Sequence, residues 1–429
     1  MKNVVLLTFD SLRADHCGYC GYQRNTTPNM DKLAEDGIAF TNAISPASRT
    51  NPSMAGIFTG EPLVTRESVA DPEQSKYHLE RHGTIAESLS EMGYATGAFC
   101  PNAYSSRYYG FDRGFGTFED FLFSSERYQS IFDKHISDSN VYTTLRNLRN
   151  LIQKEEAFRT WDTYVDDMVE WANNQHDPYF LWGFSLDTHY PYITPRQFRN
   201  WSNAWKTYYY NWRCYQLLDK YDVEISDRDI QGITDIYDDS IRYADKLIGE
   251  LRERLNEDTV FIVCADHGEA LGERGFYGHF YPSLYEENIH VPLVIGGDIN
   301  ADRIEDSPIS LTELPEVINC LIHGNDLKDL TQNSVVSTTF DGRRERNLVS
   351  VRTRDSKYHV SISKAGVKEG TYDLTERKVE PESTSEIEST QEVKYLAWRR
   401  INHEKEILNI RNIASTELNS SEDSAVEGI

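Results

Sequence analysis

Three short, almost wholly apolar runs in this chain, residues 3–9, 179–186 and 259–265, each end in an aspartate: Asp10, Asp187 and Asp266. Runs of this length and character are the pattern of strands buried on both faces. In open parallel sheets, ligands bind at the carboxyl ends of the strands. Carboxylates delivered there by separate strands can share one cation. His267 follows Asp266 directly, and His189 stands two positions beyond Asp187. Carboxylate and imidazole together suit a divalent ion such as Ca2+, Mg2+, Mn2+ or Zn2+.

A hydroxyl nucleophile is offered by residues 48–60, SRTNPSMAGIFTG. Asn51 followed by Pro52 reads as an N-cap and first helical position. Met54, Ile57 and Phe58 give one apolar face, and Gly60 ends the helix. Thr50 then lies just outside the helix's positive end, where unpaired backbone N–H groups favour an anion. Taken alone, Thr50 is an ordinary capping residue; its weight comes from the aspartates that converge with it.

The elements that must position these groups alternate between strand and helix. Helical patterns cover about 29–36, 84–92, 231–255 and 311–323, and further buried strands cover 95–100 and 289–295. This predicts an α/β fold with a large, mostly parallel sheet flanked by helices. Short alternating strands over 340–376 add a small antiparallel subdomain, followed by a helix at 389–412. The expected domains are a catalytic domain at 1–330, with helical insertions near 122–178 and 196–225, and a C-terminal α+β subdomain at 331–412. An acidic tail, 413–429, is expected to be disordered. The Tyr- and Trp-rich segment 196–225 reads as a helical cap over the site or a plain surface insertion.

Length and composition set the outer bounds. The 429 residues, 39% hydrophobic and 12% aromatic, suffice for one large core and a smaller one. A net charge of −25 argues against nucleic-acid binding and suits the solvating surface of a halophilic cytoplasm. An anionic substrate would then need a local positive charge, most simply a metal. No apolar run is long enough to span a bilayer and no leader is evident, so the expectation is a cytoplasmic protein with no membrane partner. Nothing in the sequence fixes an oligomeric state. Six scattered cysteines need no disulfide framework, and Cys17-Gly-Tyr-Cys20 reads as ordinary small apolar residues rather than a redox pair.

The segments NVVLLTFDSLRADHCGYCGY, TTPNMDKLAEDGIAFTNAISPASRTNPSMAGIFTG, TIAESLSEMGYATGAF, VFIVCADHGEALGERGFYGH and ENIHVPLVI resemble, in order, those of sulfatases in the alkaline phosphatase superfamily. The resemblance implies an alkaline phosphatase-like fold. It further implies that Asp10, Asp266 and His267 are metal ligands, and that Thr50 occupies the nucleophile position and touches the metal. His189 would contact the transferred group or protonate the leaving group. His279 falls where many sulfatases carry a lysine contacting the ester.

Three positions depart from the family pattern. Ser11 replaces a second aspartate, Met54 replaces the motif's arginine, and Thr50 stands where a cysteine or serine becomes formylglycine. Threonine cannot undergo that oxidation, so no formylglycine is expected. A formylglycine hydrate expels sulfate by eliminating from its second hydroxyl, whereas an ester on Thr50 must be cleared by water.

The expected activity is therefore metal-dependent hydrolysis of a sulfuric ester, with a small-molecule or glycan anionic ester as substrate and Thr50, His189 and His279 as catalytic residues. The alternative is a phosphodiester, phosphonate or phosphomonoester hydrolase working through phospho-threonine. In that case Asp187, His189 and His279 could form a second metal site. A group transferase and a non-catalytic relative stand behind these. Arg13 and Asp15 are expected to fix the loop after the first strand, and Glu269 to pair structurally.

Overall fold

A computed structural model of the protein describes residues 2–65, 71–121, 159–218, 220, 223–279, 282–299, 301–327, 330–375 and 390–426. The strands of the large sheet are β1 (Asn3–Phe9), β2 (Ile38–Ile44), β3 (Ala95–Phe99), β4 (Thr117–Glu119), β5 (Tyr179–Ser185) and β6 (Thr259–Ala265). A two-stranded hairpin follows, β7 (Ala270–Leu271) with β8 (Tyr277–Gly278). The large sheet resumes with β9 (His290–Gly297), β10 (Arg303–Glu305) and β11 (Ile309–Ser310). Its order is β10-β2-β9-β6-β1-β5-β3-β4, with β11 also on β2. β1 lies at the centre, parallel to both β5 and β6. Every residue of β1, β5 and β6 is buried, which is why these stretches read as unbroken apolar runs rather than alternating ones.

Register decides which strand-end aspartates meet. Phe9 pairs with Ala265 on one side and Ser185 on the other. Asp10 and Asp266 therefore leave the sheet at the same level. Asp187 comes one residue later than the position matching Asp10, and a one-residue slip turns a side chain to the other face.

Most helices fall where the periodicity puts them: Pro28–Glu35, Ile85–Glu91, Asp227–Ala244, Lys246–Arg254 and Leu314–His323. Thr84 opens the second of these with a capping box to Glu87. The helix at the candidate nucleophile runs Thr50–Thr59, with Arg49 rather than Asn51 at its N-cap and Gly60 closing it at φ 76°. Thr50 is thus its first residue. Asn51 does not cap because it lies inside the first turn, where its side-chain amide donates to Ser75 Oγ and the Tyr104 carbonyl.

Of the expected insertion at 122–178, residues 122–158 lie outside the described residues; the rest holds a helix, Val165–Asn173. The Tyr/Trp-rich segment forms the helix Ala204–Leu217. Its lead-in is fixed by Asp239, whose carboxylate accepts from the backbone N–H groups of Asn200, Trp201 and Ser202.

The C-terminal part is an antiparallel meander of β12 (Ser334–Asp341), β13 (Arg346–Thr353), β14 (Ser356–Ser363) and β15 (Gly366–Asp373). A final helix, Gln391–Val426, lays Val393, Ala397 and Ile401 on Val349, Val351, Tyr358 and Val360. That helix continues through most of the segment expected to be a disordered tail. No Gly or Pro interrupts the extension before Gly428. The meander is joined to the large sheet by Ile44, Leu284, Ile289, Val335 and Leu348, which form one small core.

Candidate active site

One carboxylate oxygen each from Asp10 and Asp266 and a ring nitrogen of His267 lie within 4.8 Å of one another, all fully buried. Each is held by named partners. Asp10 accepts from Ser11 Oγ at 2.8 Å and from Asn102 Nδ2 at 2.7 Å. Oδ1 of Asp266 accepts from the backbone N–H of Ser11 at 3.1 Å and of His267 at 2.8 Å. Ser11 reaches both carboxylates because it sits in the left-handed region at φ 63°, a conformation that costs a non-glycine residue about 1 kcal/mol. His267 Nδ1 lies 2.9 Å from the Gly268 carbonyl. That acceptor assigns the proton to Nδ1 and leaves the Nε2 lone pair for the cluster.

The electrostatics mark the same spot. Burial, reinforced by the negative charge of Asp10, pushes the Asp266 carboxyl well above its usual range. Burial also works to raise Asp10, but the neighbouring His189, His267 and His279 outweigh it and hold Asp10 low. Burial and the neighbouring His279 bring His267 down to about 4. Two buried carboxylates this close cannot both be charged without a compensating cation or proton. Asp266 Oδ2 is buried and has no hydrogen-bond partner among the described residues. An orphaned carboxylate oxygen, a second carboxylate and an imidazole lone pair converging on one point fit a divalent cation.

Thr50 Oγ1 is 3.3 Å from His267 Nε2. The helix that carries it is pinned to the end of β6 by two serines. Ser53 Oγ and Ser45 Oγ both donate to the Asp266 carbonyl, at 2.6 and 2.5 Å. Thr50 is also the first residue of its helix, and the backbone N–H groups of Thr50 and Asn51 have no intrahelical partner, because Pro52 has no N–H and the Ser53 N–H donates to the Arg49 carbonyl.

His279 and His189 border the same space. The His279 ring centroid lies 4.4 Å from that of His267 and 5.2 Å from that of His189. His279 Nδ1 is 2.9 Å from Glu269 Oε1. Burial raises the Glu269 carboxyl to about 7 and lowers His279 to about 3. His189 Nδ1 faces the Tyr190 carbonyl at 2.5 Å. Three residues on, Tyr192 is bonded through its N–H and carbonyl to Asn211 of the helix Ala204–Leu217, so that helix stands beside the site.

Asp187 does not join the cluster. Its Oδ2 accepts from the Trp161 N–H at 3.1 Å and from Ser185 Oγ at 2.8 Å, and burial raises it to about 7. A second metal held by Asp187 with His189 and His279 is thus not assembled; the one-residue register offset turns this carboxylate away. Arg13 acts as the loop brace expected of it, paired with Asp15 and Glu273 at 2.7 Å each and donating to the Glu269 carbonyl. Cys17 donates to the Arg13 carbonyl, and no disulfide joins the six cysteines.

Sequence reasoning missed Asn102, Ser45 and Ser53. Asn102 follows the end of β3, so the strand-end logic that singled out the aspartates would have found it had amides been counted with carboxylates.

A large mostly parallel sheet, with a carboxylate–imidazole cluster at its strand ends and a helix-borne hydroxyl against it, has the architecture of an alkaline phosphatase-like fold. The chain belongs to the sulfatase family, whose model matches residues 2–318. It is 26% identical over 361 residues to an ulvan-active sulfatase of Formosa agariphila, covering 77% of this chain and 65% of that one. It spans less than two thirds of the length of the curated relatives it matches. Among solved structures, a phosphonate monoester hydrolase of Agrobacterium radiobacter superposes with a TM-score of 0.62 at 18% identity, over 96% of each chain. An alkaline phosphatase superfamily protein of Vibrio parahaemolyticus gives 0.57 at 20% identity, over 92% of this chain and 84% of that one. Among the described residues, no helix is long and apolar enough to cross a membrane.

Proposed function

We propose that the protein is a metal-dependent hydrolase of sulfuric esters in which Thr50 is the nucleophile. The observation that carries this is the Thr50 hydroxyl, 3.3 Å from His267 Nε2 at the head of its helix. A divalent cation held by Asp10, Asp266 and His267 would supply Lewis-acid polarisation of the ester and favour the ionised hydroxyl. The chain's own groups do the rest. The first-turn N–H groups of the Thr50 helix receive the anionic ester. Thr50 Oγ1 attacks the central atom, and a histidine at the rim, His189 or His279, supplies the proton to the departing oxygen. Small-molecule and glycan sulfates are the substrate class, in line with the relative that acts on ulvan.

One feature favours a second reading, in which phosphorus replaces sulfur. Thr50 has a single hydroxyl, so its ester must be cleared by in-line attack of water, a route open to phospho-threonine. A panel of aryl and alkyl sulfates, phosphate mono- and diesters and phosphonates, each with Ca2+, Mg2+, Mn2+ and Zn2+, separates the two. Preference for sulfates by orders of magnitude supports the first reading; the reverse order supports the second. In either case Thr50→Ala is expected to lose at least a thousandfold in kcat while its divalent-metal content stays that of the unmodified protein. Turnover retained in that variant would remove Thr50 from the reaction.

A further inference from the structure

The helix Ala204–Leu217 buries one face, formed by Thr207, Tyr210, Cys214 and Leu217, and leaves an aromatic one in solvent. Trp205, Tyr208 and Trp212 are 63%, 60% and 48% exposed. They stand at i, i+3 and i+7, a single stripe on a helix, with a rise of about 10 Å from first to last. Tyr209 braces the stripe. Its ring stacks on that of Trp205, centroids 5.0 Å apart and planes 7° from parallel, and lies 5.9 Å from that of Trp212. Rings held this way lose little freedom when a ligand settles on them. Large exposed rings in one row mark a contact surface rather than a solvated face.

The stripe runs outward from the candidate site. Tyr190, next to His189, donates through its hydroxyl to the Asn211 carbonyl at 3.3 Å, and the Tyr192 N–H donates to Asn211 Oδ1 at 2.8 Å. Tyr208 is one turn from both Asn211 and Trp212, so it carries the face from the edge that meets Tyr192 out to solvent. The opposite edge is closed by ion pairs, Lys206 with Asp235 at 2.9 Å and Arg213 with Asp229 at 2.8 Å. Charge singles out the same stretch. In a chain with 69 Asp and Glu and a net charge of −25, residues 188–218 hold no Asp or Glu and carry Arg196, Arg199, Lys206 and Arg213. The molecule at large repels an anionic chain; this segment adds nothing to that repulsion. The side chains of the stripe are Trp and Tyr, with no Leu, Ile, Val or Met among them, which favours a sugar over a lipid or an apolar protein face. The C–H faces of a pyranose carry partial positive charge and meet the negative faces of indole and phenol rings.

We propose that this aromatic stripe is a docking face for the sugar rings of an anionic glycan chain, holding the chain while one of its ester groups reaches Thr50. Its link to catalysis rests on the hydrolase reading above. Contacts this far from the reacting atoms hold the chain equally before and during reaction, so they act on KM.

Affinity electrophoresis in gels cast with carrageenan, chondroitin sulfate or dextran sulfate tests the proposal without turnover. The unmodified protein should be retarded by at least one of them. Trp205→Ala combined with Trp212→Ala should weaken that binding about tenfold, the worth of two ring contacts. Both side chains are exposed, and an unchanged urea midpoint checks that the variant is folded. Trp205→Phe combined with Trp212→Phe should recover part of the affinity, because a ring remains at each position. On the same polysaccharide, the loss of kcat/KM in the alanine variant should sit in KM. No retardation by any of the three, or equal retardation of the unmodified protein and the alanine variant, overturns the proposal. So does capture of the protein by vesicles of phosphatidylcholine and phosphatidylglycerol, or a dimer in sedimentation, that the alanine variant loses, since either gives the stripe another occupant. Retardation lost in the alanine variant, with no turnover of any sulfate or phosphate ester by the unmodified protein, supports the docking face and overturns the hydrolase reading alone.

Discussion

Asn102 shows how much a single neutral side chain does at this site. Its amide donates to Asp10 Oδ2 at 2.7 Å while its carbonyl oxygen accepts from the Tyr104 N–H, so the group is fixed at both ends. Ser11 holds the other oxygen of Asp10, and together they set the plane of the carboxylate. With Asp10 as a ligand of the proposed cation, partners of this kind behind it are worth ten- to a hundredfold in affinity. Asn102→Ala is therefore expected to weaken divalent-metal binding by about tenfold or more, read by calorimetric titration of the metal-free protein. Affinity equal to that of the unmodified protein would mean that Asp10 is oriented by Ser11 alone.

At the scale of elements, the site depends on how the helix Thr50–Thr59 is docked onto the end of β6. Helical propensity alone does not aim Thr50. The aim comes from Ser45 and Ser53, which share the Asp266 carbonyl and lie 2.9 Å from each other. Removing Ser53 Oγ leaves that carbonyl bonded to Ser45, so the stability cost is that of one buried hydrogen bond, about 1 kcal/mol. The larger effect is on alignment. Ser53→Ala is expected to lower kcat by about tenfold, in keeping with the sensitivity of attack geometry to small displacements, with only a small shift in the urea midpoint. A large midpoint shift with unchanged kcat would show that the serine pair serves folding rather than aim.

Across the whole molecule, the C-terminal meander is locked to the large sheet by a buried ionic cluster as well as by apolar contact. Glu286, just ahead of β9, pairs with Arg352 of β13 at 3.1 Å and Lys357 of β14 at 3.3 Å, all three buried. Burial works to raise Glu286, but Arg352 and Lys357 outweigh it and bring its carboxyl down from 4.5 to about 2. A carboxylate held low stabilises the fold in full above its unfolded value and loses that contribution as pH falls through its folded value. Glu286→Gln strands two buried cations and is expected to cost about 3 kcal/mol at pH 7. The stability difference between the unmodified protein and this variant should shrink as pH is lowered from 4.5 toward 2. A difference that stays constant over that range, measured by urea unfolding, would show that the cluster carries no net charge-dependent stabilisation.

Residues 3–10 and 259–267 were legible from the chain alone because their message is local. A strand buried on both faces must be apolar throughout, and a polar residue at its end marks where it leaves the sheet. Thr50 was legible for a similar reason, since Pro52 and Gly60 bracket a helix wherever the chain places it, although the start of that helix was misread by two residues. What the sequence did not carry was register. Asp187 ends an equally apolar strand and carries a histidine two positions on. Only the pairing of Phe9 with Ser185 shows that its carboxylate falls one residue out of step and turns to Trp161. Nor does the chain announce that Asn102 meets Asp10 across 92 positions, or that a short hairpin sets Glu269 beside His279. The kinds of chemistry available were fixed by residue type and local pattern. Which of those residues act together was decided by inter-strand alignment and long-range hydrogen bonds, which exist only once the chain has folded.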